Sequence, residues 1–127
     1  MVKVVLADDE EFVRYFLKSV MQSLSFQIVA EVEKGDEVYA VVKKARPDIL
    51  LLDINMPNLT GIEFLKKYSK EFPKMCIIIL TSANSFNLFE ETAQEGASCF
   101  IRKDTPIEQM VSKIEKTWSA FKEENKI

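Results

Sequence analysis

Four consecutive carboxylates, Asp8, Asp9, Glu10 and Glu11, follow the apolar run VKVVLA early in the chain. Like charges this close repel unless a cation offsets them, so the cluster is either a solvated helix start or one side of a metal site. Other residues could work with it. Asp53 closes the run DILLLD, Thr81 and Ser82 close CIIILTS, and Lys103 follows SCFIR. Oxygen ligands without thiolate or imidazole favour a hard divalent ion, and Mg2+ typically uses one or two carboxylates with several waters and often bridges to phosphate. A hydroxyl and an ammonium suit phosphoryl oxygens, and an aspartate can itself be the nucleophile that becomes an aspartyl phosphate. Asp53 is the candidate nucleophile because it ends the most apolar of the runs. Asp8, Asp9 and Asp53 carry three negative charges against one positive charge on Lys103, so a divalent cation would bring the set to neutrality.

The rest of the composition removes other chemistries. There is no histidine, hence no Ser-His or Cys-His dyad and no imidazole ligand. Three glycines (Gly35, Gly61, Gly96) supply no Gly-rich nucleotide loop. A net charge of −3 argues against nucleic-acid binding by a general basic surface. Cys76 and Cys99 lack zinc-type spacing and are expected to be reduced thiols. No apolar run approaches the roughly 20 residues of a membrane span, and no charged-then-apolar leader precedes the first strand. The expectation is a cytoplasmic protein with no membrane or nucleic-acid partner of its own.

Such residues need a frame to hold them together. With 127 residues, 47% apolar and 29% charged, the chain suits one soluble domain with one core. Strand-like runs at Lys3–Ala7, Gln27–Val32, Ile49–Asp53, Cys76–Thr81 and Ser98–Arg102 alternate with segments of helical period. Phe12, Phe16, Leu17, Val20, Met21 and Leu24 mark the first helix; Ile107, Met110, Val111, Ile114, Trp118 and Phe121 mark the last. Thr60 with Glu63, and Thr105 with Glu108, match the capping-box pattern, and Pro106 fits the first helical position. Strict alternation with near-continuous apolar strands predicts an α/β fold, a five-stranded parallel sheet with helices on both faces, over residues 1–124, with a short polar tail at 125–127. Ligands of such sheets bind beyond the carboxyl ends of the strands, where strand order reverses. Asp8 and Asp9, Asp53, Thr81 and Lys103 all fall at such ends, while the second strand, ending in Glu33, Lys34 and Gly35, is expected at an edge.

The acid pair in LADDEE, with LLLDINMPNLTG, LTSA and CFIRK, resembles the receiver domain of bacterial two-component response regulators, the single-domain chemotaxis-regulator type in particular. The likeness covers practically the whole chain and implies the (βα)5 flavodoxin-like doubly wound topology. It implies that Asp53 is the phosphoacceptor, that Asp8 and Asp9 hold Mg2+ with Asp53 and the backbone carbonyl of Asn55, and that Thr81 and Lys103 contact the phosphoryl group. Met56, Pro57 and Gly61 match the loop after the phosphoacceptor strand, and Phe100 sits where the family has its switch aromatic. The phosphoryl group would come from a partner histidine kinase or phosphotransfer protein. The output partner would bind the face of the fourth helix, fifth strand and fifth helix. The domain would not be an enzyme beyond catalysing its own phosphorylation and dephosphorylation. One departure is Asp104, where the family usually has a proline joined to the lysine by a cis peptide; a trans bond is expected here. Asp104 is also expected to add a fourth acid near the site.

Plainer readings stand beside these. Acids after a strand often only favour the next helix's N-terminus, which is the reading for Glu10 and Glu11. Thr81 suits any strand, Asn55, Pro57 and Gly61 suit any turn, and Phe100 suits a core. A haloacid-dehalogenase-type Mg2+ phosphatase would want an acid where Asn55 stands, and a flavin carrier would want hydroxyls where ADDEE stands. A receiver that works as a protein-interaction module without phosphorylation is the alternative kept. In NSFNLFEETAQEG, Phe86, Leu88 and Phe89 cannot all be buried by one helix on a sheet. At least one is expected to be partly exposed near Phe100, with Phe86 preferred.

Overall fold

The computed structural model describes every residue except 83–85, and describes the backbone but not the side chain of Phe86. Five strands, β1 (Lys3–Ala7), β2 (Gln27–Val32), β3 (Ile49–Asp53), β4 (Cys76–Thr81) and β5 (Cys99–Arg102), alternate with five helices. These are α1 (Glu11–Leu24), α2 (Val38–Ala45), α3 (Gly61–Tyr68), α4 (Phe86–Gln94) and α5 (Ile107–Asn125). Short 3-10 turns precede α2 at Gly35–Glu37 and follow α3 at Ser69–Glu71. The sheet order is β2-β1-β3-β4-β5 and every pairing is parallel. The second strand is at an edge, as its mixed composition implies, and order reverses between β1 and β3.

Side chains alternate across the sheet, so each apolar strand feeds two cores. Val4, Leu6, Ile49, Leu51, Cys76, Ile78 and Leu80 pack under α1 and α5 with Leu17, Met21, Met110, Ile114 and Trp118. Val5, Leu50, Leu52, Ile77 and Ile79 pack under α2 and α3 with Val38, Val42, Phe64 and Leu65. Every residue of β3 and β4 is buried, which is why these strands read as unbroken apolar runs.

Three local expectations change. β5 starts at Cys99 rather than Ser98, although the Ser98 N–H already donates to the Ile77 carbonyl of β4 at 2.8 Å. Thr60 and Glu63 form the capping box of α3, but Thr105 does not cap α5. Its hydroxyl donates instead to the Arg102 carbonyl at 2.7 Å, closing the turn after β5, so Pro106 becomes the extended residue ahead of the helix. Finally, α5 takes in the first residue of the expected tail, Asn125, whose side-chain amide donates to the Phe121 carbonyl at 2.9 Å.

No described helix is long and apolar enough to cross a membrane. Both cysteines are free, and burial pushes the Cys76 thiol up to about 12, leaving it protonated.

Candidate functional site

Parallel neighbours β1, β3, β4 and β5 end on the same rim, and the residues just past their ends meet there. Lys103 Nζ lies 2.9 Å from Asp8 Oδ2, 3.1 Å from Asp53 Oδ2 and 2.7 Å from Glu10 Oε1. One carboxylate oxygen from each of Asp8, Asp9, Glu10 and Asp53 falls within 4.8 Å of the others. Asp8 and Asp53 are buried, whereas Asp9 is exposed on the outer side.

The backbone fixes both buried acids. Asp8 Oδ1 accepts the Glu10 N–H at 2.8 Å, and Asp53 Oδ1 accepts the Asn55 N–H at 3.1 Å. Each acid therefore turns its Oδ2 toward Lys103. Asp8 Oδ2 has its ion-pair contact to the lysine but no aligned hydrogen bond, so a buried acceptor is left with capacity to spare. Helix α3 approaches this rim closely enough to need a glycine. A Cβ on Gly61 would stand 2.7 Å from the Asp53 carbonyl oxygen, and the Gly61 N–H donates to the Ile54 carbonyl at 2.9 Å.

The electrostatics follow from burial. Desolvation raises the Asp53 carboxyl to about 6; the Asn55 N–H opposes this, the Asp8 charge adds to it, and Lys103 opposes it. Desolvation likewise raises Asp8, against the pull of Lys103 and the Glu10 N–H. For Lys103, desolvation favours the neutral amine. Its close contacts to Asp8 and Glu10 and the charges of Asp53 and Asp8 outweigh it, so its value rises and it stays an ammonium. Oxygen donors at this spacing, two of them buried and one with an unused lone pair, fit a small divalent cation.

The other expected residues are nearby in differing degrees. Thr81 is buried at the end of β4, and its carbonyl accepts the Lys103 N–H at 2.7 Å, tying the lysine to that strand end. Asn55, two residues past the end of β3, is exposed. Phe100 is half-buried in β5, with the Phe89 ring centroid 6.1 Å away. Phe89 is 45% exposed and Leu88 half-buried, so a partly exposed apolar residue does lie beside Phe100; the preferred residue, the Phe86 side chain, is outside the described residues. The Lys103–Asp104 peptide is trans.

Asp104 is not the fourth acid of the site. Both its oxygens face Arg102, at 2.9 Å from Nε and 2.7 Å from Nη2, so its charge is spent outside the cluster. Glu10 takes that place. Read from sequence as a helix-start acid, it does occupy the N-cap of α1, but its side chain makes no cap hydrogen bond and reaches Lys103.

Arg14 was also missed. This buried arginine donates to the Asp8 carbonyl at 2.8 Å, to Glu31 at 3.2 Å and to Glu33 at 2.9 Å, clamping the loop after β1 to the edge strand. The available signal was its position: Arg14, Leu17 and Met21 lie on one buried stripe of α1, where an arginine needs partners.

Residues 4–115 match the family model described as response regulator receiver domain. The chain is similar to the transcriptional regulatory protein LnrK of Bacillus subtilis, 31% identical over 90% of this chain and 52% of LnrK, so it spans about half that relative's length. It is also similar to the chemotaxis protein CheY of Listeria monocytogenes, 29% identical over 91% of this chain and 98% of that protein. Among solved structures it resembles a CheY-like response regulator receiver domain protein from Methanospirillum hungatei. The TM-score is 0.87 at 21% identity, covering 98% of both chains, a likeness of fold.

Proposed function

The chain belongs to the response regulator receiver domain family, and on that premise we propose that it is a phosphorylation switch with Asp53 as phosphoacceptor. One observation supports this above the rest: three strand ends bring Asp8, Asp53 and Lys103 into mutual contact at a rim that Asp9 borders. In the proposed reaction an Asp53 oxygen attacks phosphorus. The bond from phosphorus to the donor atom breaks, and its electron pair leaves with the donor, a histidine nitrogen of a partner kinase or phosphotransfer protein. This chain has no histidine and so cannot supply that donor itself.

The residues divide the work by position. The Asn55 N–H holds one Asp53 oxygen, which leaves the other for attack. Asp8, Asp9 and Asp53, with the Asn55 carbonyl, would hold Mg2+, which when bound neutralises charge on the transferring phosphoryl group. Lys103 receives phosphoryl oxygens, and Thr81, anchored through its carbonyl to the lysine's N–H, does so from the β4 side. Inward movement of Thr81 with Phe100 then alters the face of α4, β5 and α5, where an output partner binds; this is a population shift within one fold. The reaction ends on the protein itself, so no free substrate is turned over.

The test is incubation with Mg2+ and acetyl phosphate followed by intact mass. The wild type should gain one phosphoryl group and Asp53→Asn none. A gain that survives in Asp53→Asn sinks the assignment. If the wild type gains nothing, the phosphorylation-independent interaction module becomes the better reading.

A further inference from the structure

We infer that Glu10 is a positioning residue that latches Lys103 in the resting protein, and that its release sets how fast the domain accepts a phosphoryl group. This rests on the reading of Asp53 as phosphoacceptor.

An ammonium has three N–H donors and no more. Three carboxylate oxygens crowd Lys103 Nζ, from Asp8, Asp53 and Glu10, and the contact that has hydrogen-bond geometry is the one to Glu10. A phosphoryl oxygen that is to engage the lysine must therefore displace one of them. Asp8 and Asp53 cannot swing away from the rim, whatever bonds their oxygens make there. Both are short and buried, and each has its other oxygen pinned by a backbone N–H. Glu10 is the reverse case. Its contact is the shortest of the three at 2.7 Å, yet its side chain is 57% exposed. One rotamer change carries its carboxylate into water, where solvation replaces the ion pair at little cost.

Charge points the same way. Asp8, Asp9, Glu10 and Asp53 with Lys103 sum to −3, and a divalent cation still leaves −1 to meet an incoming phosphoryl dianion. Removing the Glu10 charge takes away that residual repulsion. It also frees one lysine donor before the reaction instead of during it.

The experiment compares wild type, Glu10→Gln and Glu10→Asp by initial rate of phosphorylation with acetyl phosphate at saturating Mg2+. Magnesium affinity is measured separately by calorimetry, and the Lys103 ammonium is followed by NMR without donor. Glu10→Gln should be phosphorylated about two- to fivefold faster, the range set by the strength of a partly exposed ion pair. Its Lys103 signal should shift, while its Mg2+ affinity changes by less than its rate. Glu10→Asp keeps the charge but is one methylene shorter; it should also free the lysine, and so fall between the two.

Equal or slower phosphorylation in Glu10→Gln overturns the latch. So does a collapse of Mg2+ affinity, which would make Glu10 a metal ligand instead. A wild type that gains no phosphoryl group while the Lys103 signal still shifts in Glu10→Gln points to failure of the phosphoacceptor reading, and the rate role of Glu10 falls with it.

Discussion

Lys103 meets Asp8 and Asp53 out of water, while one residue further on Asp104 grips Arg102 with both oxygens in open solvent. The distances are alike, 2.9 and 3.1 Å in the first case and 2.9 and 2.7 Å in the second. The surroundings are not. The Lys103 side chain is 9% exposed against 0% and 3% for its partners, whereas Arg102 and Asp104 are 42% and 69% exposed. Contact length therefore says little about worth. Breaking the enclosed set strands charge in low dielectric, while breaking the outer pair hands both groups back to water.

The largest effect should come from Lys103→Met, which keeps most of the apolar stem but leaves Asp8 and Asp53 facing each other. Metal-free stability at neutral pH should fall by about 2–3 kcal/mol, read from urea unfolding, and much of it should return with Mg2+. An unchanged midpoint would mean that the site is wetter than its burial implies.

Asp53→Asn should act in the opposite direction. The amide oxygen still accepts the Asn55 N–H, but one of the crowded charges is gone, so metal-free stability should rise by about 1 kcal/mol once screening by water is allowed for. Loss of stability in this variant would show that Lys103 attracts Asp53 more than Asp8 repels it.

The pH profile sharpens the same point. Burial raises Asp53 from 3.8 to about 6 and moves Asp8 in the same direction. A raised carboxyl binds its proton more tightly folded than unfolded. The stability it contributes is complete below the unfolded value and is lost as pH rises through the folded one. The wild type should therefore lose stability relative to Asp53→Asn between about pH 4 and pH 6 in metal-free buffer. Magnesium affinity should rise over the same interval, since proton and ion compete for the same oxygens. A flat difference curve would break the link between burial and charge at this rim.

The smallest effect belongs to the outer pair. Hydrogen bonds from Arg102 hold the Asp104 carboxyl below its ordinary value, but both groups are solvated. Asp104→Asn should leave the unfolding midpoint and the phosphorylation rate unchanged within error. A change in rate comparable to that of Glu10→Gln would return Asp104 to the site.

The fold was legible because its two central strands, β3 and β4, are buried on both sides. Four strands have the bounds expected from the sequence, and β3 and β4 are apolar up to the polar residue that ends each, Asp53 and Thr81. The acid pair, Asp53 and Lys103 were legible because each terminates such a run. Glu10 was not, since four adjacent acids look alike until a lysine from the far end of the chain selects among them. Asp104 and Thr105 failed for a related reason. A local pattern, an acid beside a site lysine or a Thr-x-x-Glu box, competes with turn closure, and the partner that decides is the Arg102 side chain in one case and its carbonyl in the other.

Strand β5 is the last to leave the ribosome, lies at the sheet edge and is only four residues long. Lys103, the residue after it, reaches back across 93 positions to Glu10. β1, β3 and β4 pair with one another without it, so a nascent domain can complete its central sheet while the gathered carboxylates still lack their ammonium. Docking of the final βα unit is then drawn in by charge as well as by apolar contact. Peeling of this short edge would disarm the rim while leaving the central sheet intact. An assembled carboxylate–lysine rim thus becomes a late product of folding and an early casualty of fraying.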